Sequence, residues 1–203
     1  MKKLLLITLI FTSFCFTAKA QVINQPANWP NENWSLAGSY DSNYLEADPT
    51  TIGGSSSFSF NDDDAGGSSV NNIAAESPVI DLSAALGASE TIILVTFNYV
   101  YNIYQGDQTL SLQYWDADNN QWVNWGNAIA DNSIATYNFC TSTSGAYSSE
   151  DLNIISFTSN QLQAFKYRVF YDDNTTFGWG FCIDSPTINS SMPPACPSVT
   201  NVI

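Results

Sequence analysis

Apolar and polar residues alternate with a period of two along several stretches of the chain, which is typical of strands that bury one face. In the stretch 93–101, every second residue is a large aliphatic or aromatic one. The stretch 164–171 follows the same pattern and places Lys166 and Arg168 on the face opposite its aromatic residues. We therefore expect two half-buried strands here. The aromatic side chains expected to face the core are Phe165 and Tyr167.

Turn-forming residues separate further strands. The segment 116–120, Asp-Ala-Asp-Asn-Asn, lies between the apolar stretches 110–115 and 121–125 and predicts a hairpin. The clearest helical segment is the short run 82–86, and no helical pattern is sustained. Many short strands with polar turns predict an all-β, two-sheet antiparallel sandwich, because a sheet with one apolar face must pack on a second sheet.

Residues 1–20 have the pattern of a cleavable export signal. Two lysines precede the apolar run 4–16, and the tripeptide Ala-Lys-Ala at 18–20 has the small residues that a signal peptidase requires. The run is shorter than the roughly 20 apolar residues of a membrane-spanning helix. We expect a mature chain that begins at Gln21, is secreted or held at the cell surface, and does not insert into the membrane.

The composition changes near the end of the chain. A segment rich in proline and serine begins at Asn189, and a new apolar alternation starts at Pro197. We therefore assign residues 21–188 to one sandwich domain and residues 189–203 to a linker with the truncated start of a next domain.

The charge balance excludes several functions. The chain has 5 Lys and Arg against 19 Asp and Glu, a net charge of −14, and no histidine. Cleavage after residue 20 leaves Lys166 and Arg168 as the only cations against all 19 acids, a formal charge of −17. Without histidine there is no Ser-His-Asp or Cys-His catalytic unit and no His-ligated zinc. Such an acidic chain is repelled by nucleic acids and anionic lipid surfaces.

Three cysteines remain after the predicted cleavage, and an exported protein can form disulfides. Cys140 and Cys182 both lie in strand-like segments, so we expect them to pair. Cys196 lies in the proline-rich tail and would be left over, which suggests a partner outside the chain. The alternative is three unpaired thiols, since spacing alone does not fix disulfide geometry.

Five segments follow one another along the chain: Phe60–Gly67, Ser77–Ser83, Val95–Tyr99, Tyr171–Asp173 and Gly178–Ile188. In this order they resemble the jelly-roll modules of the cleaved-adhesin and MAM-like type found in exported proteins of Bacteroidetes-like bacteria. The resemblance covers roughly residues 28–188, and the tail resembles the start of a fibronectin type III module. It implies a concanavalin-like or galactose-binding-like sandwich that serves adhesion, carbohydrate binding or presentation of a neighbouring enzyme, with Trp179 and Phe181 in the core.

The densest group of carboxylates suggests a calcium site. Asp62, Asp63 and Asp64 are consecutive, and adjacent carboxylates that repel one another are often neutralised by a hard cation with oxygen ligands. The spacing is not that of an EF-hand, and the alternative is a solvated acidic turn. Further ligands could come from the last strands of the domain. The candidates there are Asp172, Asp173 and Asp184.

Tryptophans of the predicted hairpin suggest a sugar-binding surface. Sugar rings present apolar C–H faces that stack on indoles, and Trp115 lies off the apolar face of its strand. Trp122 and Trp125 have opposite parity, so at most one of them faces the core of a regular strand. We expect ligand binding by Trp115, Trp122 and Trp125, the alternative being core aromatics.

These observations predict an exported, non-catalytic adhesion or carbohydrate-binding module of a larger surface protein. Its partner would be a glycan or a host or cell-surface protein. No recognisable catalytic context surrounds any glutamate, and neighbouring carboxylates on one strand point to opposite faces. The main alternative is an accessory domain of a secreted hydrolase, either a peptidase or a glycosidase, and a structural spacer is the third.

Overall fold

The computed structural model describes the chain at residues 21–29, 31–48, 51–52, 57–66, 71–104, 107–132 and 144–194. The predicted export signal, Cys140, and the predicted start of a further domain at 197–203 lie outside these residues. None of the helices within them is long and apolar enough to cross a membrane.

Short β-strands make up most of the regular structure. Fourteen are found among the described residues: β1 (Asn24–Pro26), β2 (Ser35–Ser39), β3 (Leu45–Asp48), β4 (Thr51–Ile52), β5 (Ser57–Phe60), β6 (Asn72–Glu76), β7 (Ile92–Asn102), β8 (Thr109–Asp116), β9 (Gln121–Asn124), β10 (Gly145–Ser148), β11 (Leu152–Asn153), β12 (Tyr167–Asp172), β13 (Gly180–Asp184) and β14 (Thr187–Ser191).

The α-helices of the described residues are single turns between strands: α1 (Asp62–Ala65), α2 (Ser83–Gly87) and α3 (Ser159–Gln163). A 3₁₀-helix spans Ser42–Tyr44. Helix α2 confirms the helical segment predicted at 82–86. Helix α3 begins with a capping box, in which Thr158 and Gln161 satisfy each other's backbone N–H groups. At the start of α1, the Asn61 side chain accepts a hydrogen bond from the backbone N–H of Asp64.

The strands form two antiparallel sheets. One has nine strands, in the order β1-β14-β7-β13-β5-β3-β4 with β10 and β11 also paired to β7, and the other has five, in the order β2-β6-β12-β8-β9. All strand pairs between described residues are antiparallel. The predicted all-β, two-sheet jelly-roll sandwich is therefore confirmed.

Strand β7 is the central strand of the nine-stranded sheet. Strands β13 and β14 follow each other along one of its edges, because Ile183 pairs with Tyr99 and Thr187 pairs with Thr96. Residues 184–186 therefore lie opposite only two residues of β7, 97 and 98. The extra residue forms a β-bulge between β13 and β14. Strand β10 pairs with the same part of β7, so it occupies the opposite edge.

The five-stranded sheet contains the predicted hairpin, since β8 pairs with β9 across the turn 117–120. Along β12, buried residues alternate with partly exposed ones, as the sequence predicts. Phe165 and Tyr167 are 0% and 1% exposed, so the prediction that they face the core is confirmed. Both are packed against other aromatic rings: Trp34 lies 5.3 Å from Tyr167, edge to face.

Two expectations need correction. Trp179 is half-buried rather than part of the core, and its ring lies edge-on to that of Tyr104, at a centroid distance of 5.2 Å. The residue precedes β13 in a loop, where alternation does not fix the direction of a side chain. The sandwich also extends past the predicted boundary at residue 188, because β14 continues to Ser191 and pairs there with Ile92.

Candidate functional site

The outer face of the five-stranded sheet carries a pair of indoles. Trp115 on β8 and Trp122 on β9 are cross-strand partners, and both are half-buried. Their ring centroids are 5.4 Å apart, with an interplanar angle of 65°. The tight turn between β8 and β9 fixes this pairing, so the two rings form one aromatic surface at the edge of the sheet.

Both cations of the predicted mature chain lie on this aromatic pair. The Lys166 Nζ atom is 5.0 Å from the centroid of the Trp115 ring and 5.2 Å from that of Trp122. The guanidinium carbon of Arg168 is 4.3 Å from the centroid of Trp122 and 4.7 Å from that of Phe170. These are cation–π distances. We call Trp115, Trp122, Lys166 and Arg168 the Trp–cation surface.

Hydrogen bonds hold Arg168 in place. Its Nη1 atom lies 3.0 Å from Oε1 of Glu76 on β6, and its Nε atom donates to Oε1 of Gln113 on β8, at 2.7 Å. Gln113 in turn donates from Nε2 to Oδ1 of Asn124 on β9, at 2.9 Å. Burial lowers the pKa of Arg168 from its usual value, against the hydrogen bond and the charge of Glu76, which raise it. A polar row therefore crosses four strands beside the two indoles.

Lys166 differs from Arg168 in having no carboxylate partner among the described residues, where the ion pair between Arg168 and Glu76 is the one formed. The backbone of Lys166 is fixed, because its carbonyl accepts a hydrogen bond from the backbone N–H of Trp115 at 2.9 Å. The ammonium group therefore lies over the two rings with its three donors uncommitted to any carboxylate there.

Trp125, the third predicted ligand-binding tryptophan, belongs to the core. Its side chain is 2% exposed, its Nε1 donates to the carbonyl of Glu150 at 2.8 Å, and its ring packs edge-on against Phe165. Trp122 faces outward, as the opposite parity of the two residues requires. Of the three predicted ligand-binding tryptophans, Trp115 and Trp122 therefore lie on the outer face of the sheet, and Trp125 does not.

Two buried carboxylates form a separate polar cluster between the sheets. Asp62 is 2% exposed and accepts hydrogen bonds from Asn71 Nδ2 at 2.9 Å and from the Tyr171 hydroxyl at 2.8 Å. Asp173 is 1% exposed and accepts from the backbone N–H of Asn71 and of Thr175, at 2.8 Å each. Asn71 thus connects both carboxylates. Sequence reasoning missed this residue.

The environment of Asp62 favours its protonated form. Burial raises the pKa of Asp62 to about 6, the hydrogen bonds from Tyr171, Asn71 and Gly178 oppose this, and the negative charge of Asp173 adds to it. Gly178 passes so close that a Cβ atom at this position would overlap both Asp62 Oδ2 and the Tyr171 hydroxyl. The close approach of the backbone here therefore depends on glycine.

The structure does not bring the six predicted calcium ligands together. Asp63 and Asp64 lie on α1 beside Asp62, and Asp172 points away from Asp173 and accepts from the backbone N–H of Asn174. Asp184 is the last residue of β13, and Gly180, the first residue of that strand, lies against Asp62. The two ends of the strand are four residues, or about 13 Å, apart, so Asp184 is distant from Asp62.

The carboxylates of the described residues do not form a ready calcium site. In the described part of the chain, no group of three or more His, Cys, Asp or Glu side chains could hold a metal ion. Both oxygens of Asp62 and of Asp173 already accept hydrogen bonds from the protein. Calcium binding stays a prediction.

A groove of about 410 Å³ lies beside the bulge between β13 and β14. Asp184 accepts hydrogen bonds there from the backbone N–H and the side-chain Nδ2 of Asn98, at 2.7 and 2.8 Å. Phe97, Ala146 and Tyr147 also line the groove, together with four residues that carry aliphatic hydroxyl groups. These are Thr96, Ser148, Ser185 and Thr187.

Cys182 on β13 is disulfide-bonded. Its partner lies outside the described residues, as does Cys140, so the predicted pairing of these two cysteines stays a prediction.

Comparison with known proteins gives similar structures but no family. No family model and no curated protein matches the chain. The K1 cleaved adhesin domain of Lys-gingipain from Porphyromonas gingivalis W83 is 12% identical, with 85% of this chain and 98% of that domain covered and a TM-score of 0.47. The K3 cleaved adhesin domain of the same protein is 13% identical, with 84% and 100% covered and a TM-score of 0.47.

A third similar structure is TmCBM27, a carbohydrate-binding module described by its specific mannan recognition. It is 14% identical, with 85% of this chain and 98% of that one covered and a TM-score of 0.45. Similarity of this degree does not assign the chain to a family.

Proposed function

We propose that this chain is a non-catalytic carbohydrate-binding or adhesion module that binds glycans on the Trp–cation surface. The observation that supports this most directly is the pairing of two half-exposed indoles, Trp115 and Trp122, on an outer sheet face. Indole faces stack on the apolar C–H faces of sugar rings, and the amides of Gln113 and Asn124 beside them can hydrogen-bond sugar hydroxyls.

A binding role fits this surface better than hydrolysis. Glycosidases place two carboxyl groups on either side of the scissile bond. The Glu76 carboxylate is paired with Arg168. The Asp116 carboxylate, next to Trp115 in the sequence, accepts hydrogen bonds from Asn119 and Gln161. The buried carboxylates of Asp62 and Asp173 are hydrogen-bonded inside the sandwich, away from a substrate. The alternative of an accessory domain in a secreted hydrolase stays a prediction.

Export is part of the proposal. It is supported by the leader pattern of residues 1–20 and by the disulfide at Cys182, because disulfides persist in oxidising compartments. A partner outside the cytoplasm, a glycan or a protein of a cell surface, follows from this location.

The proposal is tested on the chain from Gln21 onward by glycan-array screening followed by calorimetry on the glycans retained. We expect Trp115→Ala and Trp122→Ala each to weaken binding by about tenfold or more, with unchanged thermal unfolding. Tyr104→Ala is the matched control, because Tyr104 is an exposed aromatic residue, 45% accessible, outside the Trp–cation surface. Binding that survives both tryptophan substitutions, or no glycan binding by the folded chain, would contradict the proposal.

A further inference from the structure

The distribution of charge singles out the Trp–cation surface. The predicted mature chain has two cations against 19 acids, and both cations lie over Trp122, with Lys166 also over Trp115. Elsewhere the described surface offers carboxylates without a basic residue, so an anionic ligand is repelled there. Positive charge placed at one aromatic surface of such a chain points to a ligand that combines a stacking face with a negative group.

The two cations have different roles. Arg168 is paired with Glu76 and hydrogen-bonded to Gln113, so its charge is compensated and its position is fixed under Trp122. Lys166 has no carboxylate partner among the described residues, and its ammonium lies over both rings. A lysine side chain is flexible, and a cation–π contact at an exposed site is weak. The ammonium can therefore turn toward a ligand carboxylate with little loss of cation–π interaction energy.

We propose that the Trp–cation surface recognises a carboxylated sugar, a uronic acid residue in an otherwise neutral glycan. This inference rests on the proposed function and names the class of sugar. Trp115 and Trp122 hold the C–H face of the pyranose ring, and Lys166 Nζ donates to the carboxylate at the edge of that ring. Arg168 is a positioning residue that holds Trp122 in place. A polyanion fits less well, because the remaining charge of the chain repels it.

The test uses the chain from Gln21 onward and a panel of matched glycan pairs, each a uronic-acid-bearing oligosaccharide and its neutral hexose counterpart. Calorimetry is expected to show about tenfold tighter binding of the acidic member of the recognised pair. Lys166→Gln should remove this preference, so that the two members bind with equal affinity, and Lys166→Arg should retain it. Trp115→Ala should weaken binding of both members.

Other outcomes separate the two proposals. Equal binding of both members, unchanged by Lys166→Gln, overturns the acidic-sugar inference and leaves the glycan-binding function intact. No binding of any member by the folded chain overturns both. A polyglutamate peptide is the probe for an acidic protein partner. If it binds more tightly than the uronic glycan and loses binding in Lys166→Gln, the ligand is an acidic peptide and the inference is wrong.

Discussion

Asp62 and Tyr171 are joined by a hydrogen bond of 2.8 Å from the tyrosine hydroxyl to the carboxylate, although 109 positions separate them in the sequence. Asp62 begins α1, which follows β5 of the nine-stranded sheet, and Tyr171 lies on β12 of the five-stranded sheet. The bond therefore connects the two layers at a point where both partners are buried.

Burial of the Asp62 carboxyl between the layers makes the stability of the sandwich depend on pH. Burial raises the pKa of Asp62 from 3.8 to about 6, so the folded state binds its proton more tightly than the unfolded state does. The contribution of this group to stability therefore rises as the pH falls from about 6 to about 3.8, and it is lost again above about 6. At about 1.4 kcal/mol per pKa unit, the change between about pH 7 and about pH 4 is roughly 2 kcal/mol.

The measurement is chemical denaturation of the wild-type chain and the Asp62→Asn variant at both pH values. The stability of the variant relative to wild type should fall by about 2 kcal/mol on acidification, because the variant lacks the titrating carboxyl. Asp107→Asn, at an exposed position, is the control and should follow the wild type. Parallel pH profiles for wild type and Asp62→Asn would show that Asp62 does not titrate in this range.

Gly178 is predicted to be sensitive to the addition of one methyl group. A Cβ atom there would meet Asp62 Oδ2 and the Tyr171 hydroxyl at overlapping distance, so Gly178→Ala should destabilise the fold by about 1–3 kcal/mol. Gly87→Ala is the matched control, since nothing lies within 4 Å of its Cβ position at the end of α2. There alanine should be neutral or stabilise by up to about 1 kcal/mol. Equal denaturation midpoints for the two variants would contradict this account.

The sequence predicts the elements whose side chains alternate strictly. Strands β7 and β12 and the β8–β9 hairpin lie where the period-two pattern places them, because each buries one face and its parity is visible in the sequence. The core position of Trp179 is expected from the family resemblance rather than from alternation, and the residue is half-buried instead. It lies in a loop, and its ring is placed by contact with Tyr104 rather than by strand parity.

The candidate site is only partly visible in the sequence, for a related reason. Parity predicts that Lys166 and Trp115 point away from the core, but their proximity depends on the register between β12 and β8. The role of Asn71 likewise arises from a hydrogen bond to a residue 102 positions away. Pairings between distant strands of this kind are not encoded in any local pattern.

Calcium is predicted from the sequence to stabilise the domain, but the structure offers it no ready donor set, because both oxygens of Asp62 and of Asp173 already accept hydrogen bonds from the protein. Calcium binding at these two residues would have to replace those hydrogen bonds, which offsets the gain from relieving the repulsion between the two carboxylates. Calcium at a hundredfold excess over its Kd would add about 2.7 kcal/mol of stability, a rise in Tm of roughly 5–10 °C for a domain of this size.

Differential scanning calorimetry with millimolar calcium and with a chelator measures this shift. Asp62→Asn and Asp173→Asn should each abolish it. Asp184→Asn should not, because Asp184 lies at the other end of β13 and is hydrogen-bonded to Asn98. A Tm that neither calcium nor chelator changes would show that the acidic residues hold no ion.

The disulfide at Cys182 gives the last prediction. Cys182 lies on β13 between β5 and β7, so a cross-link at this position restrains the centre of the nine-stranded sheet. A bond to Cys140 would close a loop of about 40 residues, for which chain entropy gives roughly 3–4 kcal/mol of stabilisation. Peptide mapping by mass spectrometry without reductant should find the 140 and 182 peptides joined, and Cys182→Ala should lower the free energy of unfolding by that amount. A map that joins Cys182 to Cys196 instead would contradict the pairing and place the end of the chain against the sheet.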